Sequence, residues 1–320
     1  MTVLNGLSKL FVAGRDISGD VGAIQRIGGA PALLDISSLD AQGFKRIAGR
    51  FDGELSYNVW FDKLVSHAYL STLPQADAPM MVGIPGTAAG DIVAMLVAKQ
   101  AKYDLSISAD LKAEFSVEAM ASLGYPLEWG ALITAGKRTD STATASGAGI
   151  DLGIPAGVSA TNITGSSTAN PTVVTSAGHG LQTGDSVVIA GTNKSGLNTT
   201  WTVTVINSST FSVPLDLTAG GASSGGTVQR TSHRGWAAQN QVFAIAGTSV
   251  VVTMQDCEAS VGTYANLTGG AFTAVTSGAG LGAERIESAS GIIRRFVRVK
   301  TTGTFSNATF ARSEEHTSEL

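Results

Sequence analysis

A chain of 320 residues has room for two or three domains, each able to bury its own core. Only 14% of the residues are charged, and 39 Gly among abundant Ser, Thr, Ala and Val favour turn-rich β structure over helix bundles. A formal charge of −4 gives no basis for nucleic-acid or anionic-membrane affinity, and one cysteine, Cys257, excludes an internal disulfide or a multi-thiolate zinc site.

The N-terminus, MTVLNGLSKLFVAG, lacks a basic leader and a long apolar run, so it reads as a first strand and not a signal peptide. No apolar run approaches the ~20 residues of a membrane span. From Leu7 to Ala48 the apolar pieces are short: Phe11-Val12, Val21 to Ile27, Leu33-Leu34 and Ile36. Asp20 marks a short turn, and Asp35 to Gly43 predicts one helical turn closed by glycine. From Gly53 to Phe61, Leu55, Tyr57, Val59 and Phe61 alternate with Ser56, Asn58, Trp60 and Asp62, the pattern of a half-buried strand. Leu64 to Thr72 reads as a helix with Pro74 just past its end. Met80 to Ile84 is a short strand; Gly90 to Gln100 is a buried strand or a short helix, which periodicity does not separate.

Tyr103 to Ala119 carries the clearest pattern. Tyr103, Leu105, Ile107, Phe115, Val117 and Ala119 share one parity; Asp104, Asp110, Lys112, Glu114 and Glu118 share the other. One face is apolar and one wet, as in an antiparallel sheet, with a bend or hairpin near Ala109-Asp110 because the run exceeds a typical strand. Gly124 to Gly130 is a turn with aromatic anchors, and Lys137 to Gly149 a polar linker or projecting loop. A second unit, Pro155 to about Arg230, has strands at Thr172 to Thr175, Ser186 to Ala190, Thr200 to Ile206 and Thr210 to Val213. A third, from about His233 to Ala311, has strands at Gln241 to Ala246, Ser249 to Gln255, Ala271 to Val275 and Ile292 to Lys300, the spacing of a β-sandwich.

Candidate chemistry is thin. His179 lies near Asp185, but no nucleophile on a rigid turn accompanies them, so a turn histidine bonding local backbone is the favoured reading. His67 and His233 are isolated, and no metal-ligand spacing occurs. The glycines of Gly83 to Asp91 lack the Lys and Ser/Thr of a phosphate loop, and Gly278 to Gly282 reads as a hairpin turn. Arg294, Arg295, Arg298 and Lys300 form the densest basic run. A solvated or subunit-facing strand is favoured there over a nucleic-acid strip. Asp104, Asp110, Glu114 and Glu118 lack the compact spacing of a calcium loop and read as a wet sheet face. No cofactor, metal or catalytic residue is assigned, and the chain does not read as an enzyme.

GRFDGELSYNVWFD, LSTLP, the alternating strands and LEWGALITAGKRTD resemble the major tail (tail tube) proteins of long-tailed actinobacterial phages. The likeness spans roughly residues 7 to 153 and resumes after His233. It implies a β-sandwich or barrel with a short flanking helix, self-assembling in hexameric rings stacked around a DNA-conducting lumen. HGLQTGDSVVIAG and LNTTWTV resemble a small β-domain inserted in many phage structural proteins. VVVTMQDCEASVGTYANLTGGAFTAV and RRFVRVKTTGTFSNATF are similar to tail sandwich domains, some taken for carbohydrate-binding. The implied class is mainly β: a tail-tube-like domain (1–153), an inserted small β domain (154–232) and a C-terminal sandwich (233–311). The implied place is the virion tail, assembled in the host cytoplasm. The implied partners are the chain itself, other phage tail proteins and DNA in transit, with no membrane. In that setting Asp104, Asp110, Glu114 and Glu118 are candidate lumen-facing residues, and Arg294, Arg295 and Arg298 lie away from the lumen. A surface adhesin binding host glycans through its second and third units is the alternative. The last nine residues, Arg312 to Leu320 (RSEEHTSEL), resemble translated sequencing adapter and are set outside the fold. They carry one Arg and three Glu, so the formal charge without them is −2.

Overall fold

The computed structural model describes residues 8–29, 33–37, 43–64, 66–72, 76–110, 112–144, 149–155, 157–277 and 282–315. The first unit comprises Lys9–Val12 (β1), Arg15–Asp16 (β2), Val21–Gly28 (β3), Leu33–Asp35 (β4), Arg46–Ala48 (β5), Glu54–Trp60 (β6), Ser66–Leu70 (α1), Ala78–Ile84 (β7), Ile92–Ile107 (β8), Ala113–Ala121 (β9), Glu128–Leu132 (β10), Arg138–Asp140 (β11) and Ile150–Asp151 (β12). Two layers are stitched together by β8. Its first half pairs with β7 and β10, its second half with β9, and the register shifts between Gln100 and Lys102 where it crosses. Leu10, Val12, Met80, Val82, Ala94 and Leu96 of one layer pack on Leu55, Tyr57, Val59, Phe115, Val117 and Ala119 of the other, and α1 adds Leu70.

The ambiguous stretch Gly90 to Gln100 is strand, and its apolar run has a physical reason. Both of its faces are buried: Ala94 and Leu96 in the first core, Val93 and Met95 against Phe11, Met81, Leu132 and Ala311 in a second. Tyr103 to Ala119 is a hairpin with its turn at Ala109-Asp110, as the parity predicts. Phe61, by contrast, leaves the core at the end of β6 and is 44% exposed. Most of the helical turn expected from Asp35 to Gly43 falls outside the described residues; its first residue, Asp35, ends a strand in which Leu33, Leu34 and Asp35 pair with Ala48, Ile47 and Arg46. Residues 38–42 lie outside the described set.

The inserted unit holds Thr161–Asn162 (β13), Gly165–Ser166 (β14), Thr172–Thr175 (β15), Ser186–Ala190 (β16), Thr200–Thr202 (β17), Thr204–Asn207 (β18), Thr210–Val213 (β19) and Thr227–Arg230 (β20). They form two four-stranded sheets, β13-β20-β16-β17 and β14-β15-β19-β18. Between them lies a separate core of Val174, Val187, Ile189, Leu197, Val203, Phe211 and Val228.

The third unit contains His233–Cys257 (β21), Ala265–Ala271 (β22), Val275–Thr276 (β23), Gly282–Ile293 (β24) and Phe296–Glu315 (β25). Its sheet is not separate from the first. β10 pairs with β8 on one side and with β25 on the other, giving one open 15-stranded sheet and no closed barrel. The two strands expected at Gln241 to Ala246 and Ser249 to Gln255 are one strand of 25 residues, kinked at Gly247, where φ is +147° and a Cβ would meet Phe305 Cα at 2.3 Å. The linker expected from Lys137 to Gly149 contains β11, paired with β25; the turn expected at Gly278 to Gly282 falls on residues 278–281, outside the described set. The stretch set outside the fold does not stay outside it: residues 312–315 end β25. Among the described residues no helix is long and apolar enough to cross a membrane.

Candidate assembly surface

The four acidic candidates are on one hairpin. Register pairs Lys102 with Glu118, Asp104 with Ser116 and Ser106 with Glu114, so Asp104, Glu114 and Glu118 share the outward face, and Asp110 is in the turn. Lys102 sits among them, 3.4 Å from Glu118 and 3.9 Å from Asp104, which tempers the strip's negative charge. The opposite face is buried only as far as its support reaches. β6 ends at Trp60, opposite Glu114; on the outer strand β8, Leu105 at the level of Val59 and Ile107 past the end of β6 are 50% and 65% exposed.

An aromatic cluster fills the base of this arm. Tyr103 stacks on Phe115 with centroids 4.2 Å apart, His67 stacks on Phe115 at 5.4 Å, and the Tyr103 hydroxyl meets His67 Nδ1 at 3.0 Å. Desolvation pushes the Tyr103 phenol up to about 12. Sequence reasoning did not find this cluster, because its rings come from separate elements and share no local spacing.

Two features of the first unit lack cover. Among the described residues β3 pairs only with β6 and leaves a free backbone edge. Among the described residues the hairpin β4–β5 pairs only with itself, and it and its flanks expose Leu33, Ile36, Phe44, Ile47 and Phe51, Phe44 by 76%. A two-stranded hairpin alone is marginal in water, and a contiguous apolar surface marks an interaction site.

The basic candidates do not form a strip. Arg294 and Arg295 lie between β24 and β25, while Arg298 is inside β25. Arg294 donates through its backbone N–H and Nη2 to the Asp256 carboxylate at 2.9 and 2.7 Å. Arg295 grips Asp151 through Nε and Nη2, each at 2.7 Å, and holds that carboxyl below its usual range. Arg298 donates to Gln255 at 2.9 Å and covers the Tyr264 ring at 4.1 Å. These contacts turn part of each guanidinium inward onto the chain's own acceptors.

His179 and Asp185 serve the backbone and the domain junction. His179 Nδ1 accepts the Leu181 N–H at 3.0 Å, which leaves Nε2 to donate to the Asn207 carbonyl at 3.0 Å. Asp185 is fully buried. It accepts from the Gln182 N–H at 2.8 Å, from Ser232 Oγ at 3.2 Å and from Arg234. A general base and its orienter are therefore not assembled.

The units are clamped to each other. Arg285 on β24 forks onto Glu128 of β10, with Nε–Oε2 at 2.9 Å, and lies 3.8 Å over Tyr125. Burial opposes the Arg285 charge, but Glu128 outweighs it and the pKa is raised. Gln241 accepts the Gly14 N–H at 2.6 Å and donates to the Pro79 carbonyl at 3.0 Å.

No family model matches the chain, and no curated protein matches it in sequence. Among solved structures, a chain of the virion of a native gene transfer agent particle is similar at 16% identity and a TM-score of 0.30, covering 38% of this chain and 94% of that one. A chain from the tail of an empty gene transfer agent particle, of C6 symmetry, is similar at 18% identity and 0.31, covering 40% and 98%. The SPP1 Dit protein, described as a paradigm of the hub adsorption apparatus in phages infecting Gram-positive hosts, is similar at 8% identity and 0.27, covering 96% and 99%. These scores are too low to carry residue roles or assembly geometry across.

Proposed function

We propose that the chain is a structural subunit of a phage tail, one that self-assembles through its first unit into stacked hexameric rings around a DNA-conducting lumen. The observation that carries this reading is the uncovered apolar hairpin β4–β5 in a unit that also ends in the bare edge β3. A free edge accepts a neighbour's strand, and a head-to-tail contact closes into a ring where the rotation permits. The motifs resembling tail tube proteins fall on this same unit. Asp104, Asp110, Glu114 and Glu118 are the proposed lumen side, since a polar wall without free arginine lets DNA slide. Arg294, Arg295 and Arg298 lie on the third unit. The reading is tested by Phe44→Asp with Ile47→Asp: sedimentation should show loss of higher oligomers with the fold kept, and unchanged oligomers would contradict it.

A second reading, glycan binding by the added units, has one observation in its favour. A cleft of about 270 Å³ opens where the inserted and third units meet, lined by Thr202, Asp256, Asn266, Thr268 and Arg294. A glycan panel tests it, with no retained glycan as the contrary result.

A further inference from the structure

The end of the last strand is chemically at odds with its place. At residues 312–315, β25 is enclosed on both sides: Ala131 and Leu132 of β10 face Glu314 and Ser313, and Ala237 to Asn240 of β21 face Glu315 to Arg312. A strand paired on both edges and buried on both faces calls for apolar side chains. Ala311 meets that demand on one face, packing with Phe11, Met81 and Leu132. Phe310 meets it on the other, packing with Trp236, Ala238, Val242 and Phe272.

Register then puts Arg312 and Glu314 on the face of Phe310, opposite Asn240 and Ala238, at 0% and 1% exposure. The Arg312 guanidinium lies 5.1 Å from the Phe272 ring centre, and its Nε, Nη1 and Nη2 have no hydrogen-bond partner among the described residues. Elsewhere in the fold arginine is treated differently. Arg138, Arg234 and Arg285 each reach a buried carboxylate: Asp140, Asp185 and Glu128. Burial drives the Arg312 pKa down against the opposing charge of Glu314. Independently, the stretch that breaks the pattern begins at the residue where the adapter-like sequence begins.

We propose that the slot between β10 and β21 is built for a continuation of this chain's own last strand with apolar side chains at positions 312 and 314. Arg312 and Glu314 are foreign to it. The occupant is a segment in cis, because β25 is already in register through Ala311 and needs no new contact to extend.

The test is thermal melting of the full chain carrying Arg312→Leu, then Arg312→Leu with Glu314→Val, beside Arg312→Lys. Replacing a buried charge by an apolar group of similar volume is often stabilising, so the leucine variant and the double variant should melt higher by roughly 3–10 °C. The lysine variant keeps the charge and should melt no higher than the parent. Leucine variants that melt at or below the parent, or that fail to fold, would overturn the proposal by showing that the guanidinium is required. The readout is the fold of the single chain, so it does not depend on ring formation.

Discussion

Phe115 holds the first unit at one point where three rings converge. It is 4% exposed, stacked by Tyr103 and His67. Truncating such a ring costs about 3–5 kcal/mol, and Phe115→Asp adds a buried carboxylate, so chemical denaturation should show a loss at or above that range. Tyr57 behaves oppositely. Its ring is in the core, but its hydroxyl has no hydrogen-bond partner among the described residues. Tyr57→Phe removes an unpaired polar group at almost constant volume and should raise stability by about 1 kcal/mol. The same tyrosines set an alkaline limit. Desolvation raises both phenols, Tyr103 to about 12 from 10.0. A raised phenol favours the neutral folded state. Its contribution is complete below the unfolded value near 10 and falls away as pH climbs through about 12. Denaturant midpoints should therefore decline over that window, and the decline should flatten in the variant with both Tyr57→Phe and Tyr103→Phe.

Among elements, the inserted unit shows how independence and docking coexist. It has two sheets and a core of its own, and its ends meet where His233 Nε2 lies 3.1 Å from the Gly153 carbonyl. Removing Ile154 to Thr231 should thus leave a folded remainder; insoluble protein would show that the core is shared. The docked orientation depends on Asp185, buried and paired with Arg234. Breaking a buried pair on one side costs about 3–5 kcal/mol. Asp185→Ala should therefore speed proteolysis at the junctions near residues 153 and 231 while the first core melts as before. Much of this was legible locally. Alternation from Tyr103 to Ala119 allowed a bend or a hairpin, and the structure has the hairpin; the apolar parity is buried at Phe115, Val117 and Ala119 but exposed at Leu105 and Ile107. The 25-residue β21 was not legible, because its first half reads as polar: Gln239, Asn240 and Gln241 are buried. Gln241 acts as a surrogate backbone for Gly14 and Pro79, partners far away in sequence. The Arg285–Glu128 clamp is hidden for the same reason. Hydrophobicity revealed the apolar pieces at Leu33-Leu34 and Ile36 but not that Leu33 and Ile36 are exposed.

For the whole molecule, the continuous sheet from β8 through β10 and β25 to β21 makes the first and third units one frame. Among the described residues the first unit presents the edge of β3, the apolar hairpin β4–β5 and the overhanging tip of β8–β9. In the proposed assembly the frame keeps the shape and the bare elements meet copies of the chain. The acidic hairpin and the internally paired arginines give the tube its proposed polarity. Electron microscopy of the purified protein at high concentration, with Arg312→Leu in place so that strand β25 is well seated, tests this most directly. Six-fold rings or tubes with the Asp104 to Glu118 hairpin lining the lumen are expected. A protein that stays monomeric and shows no ring would contradict the account.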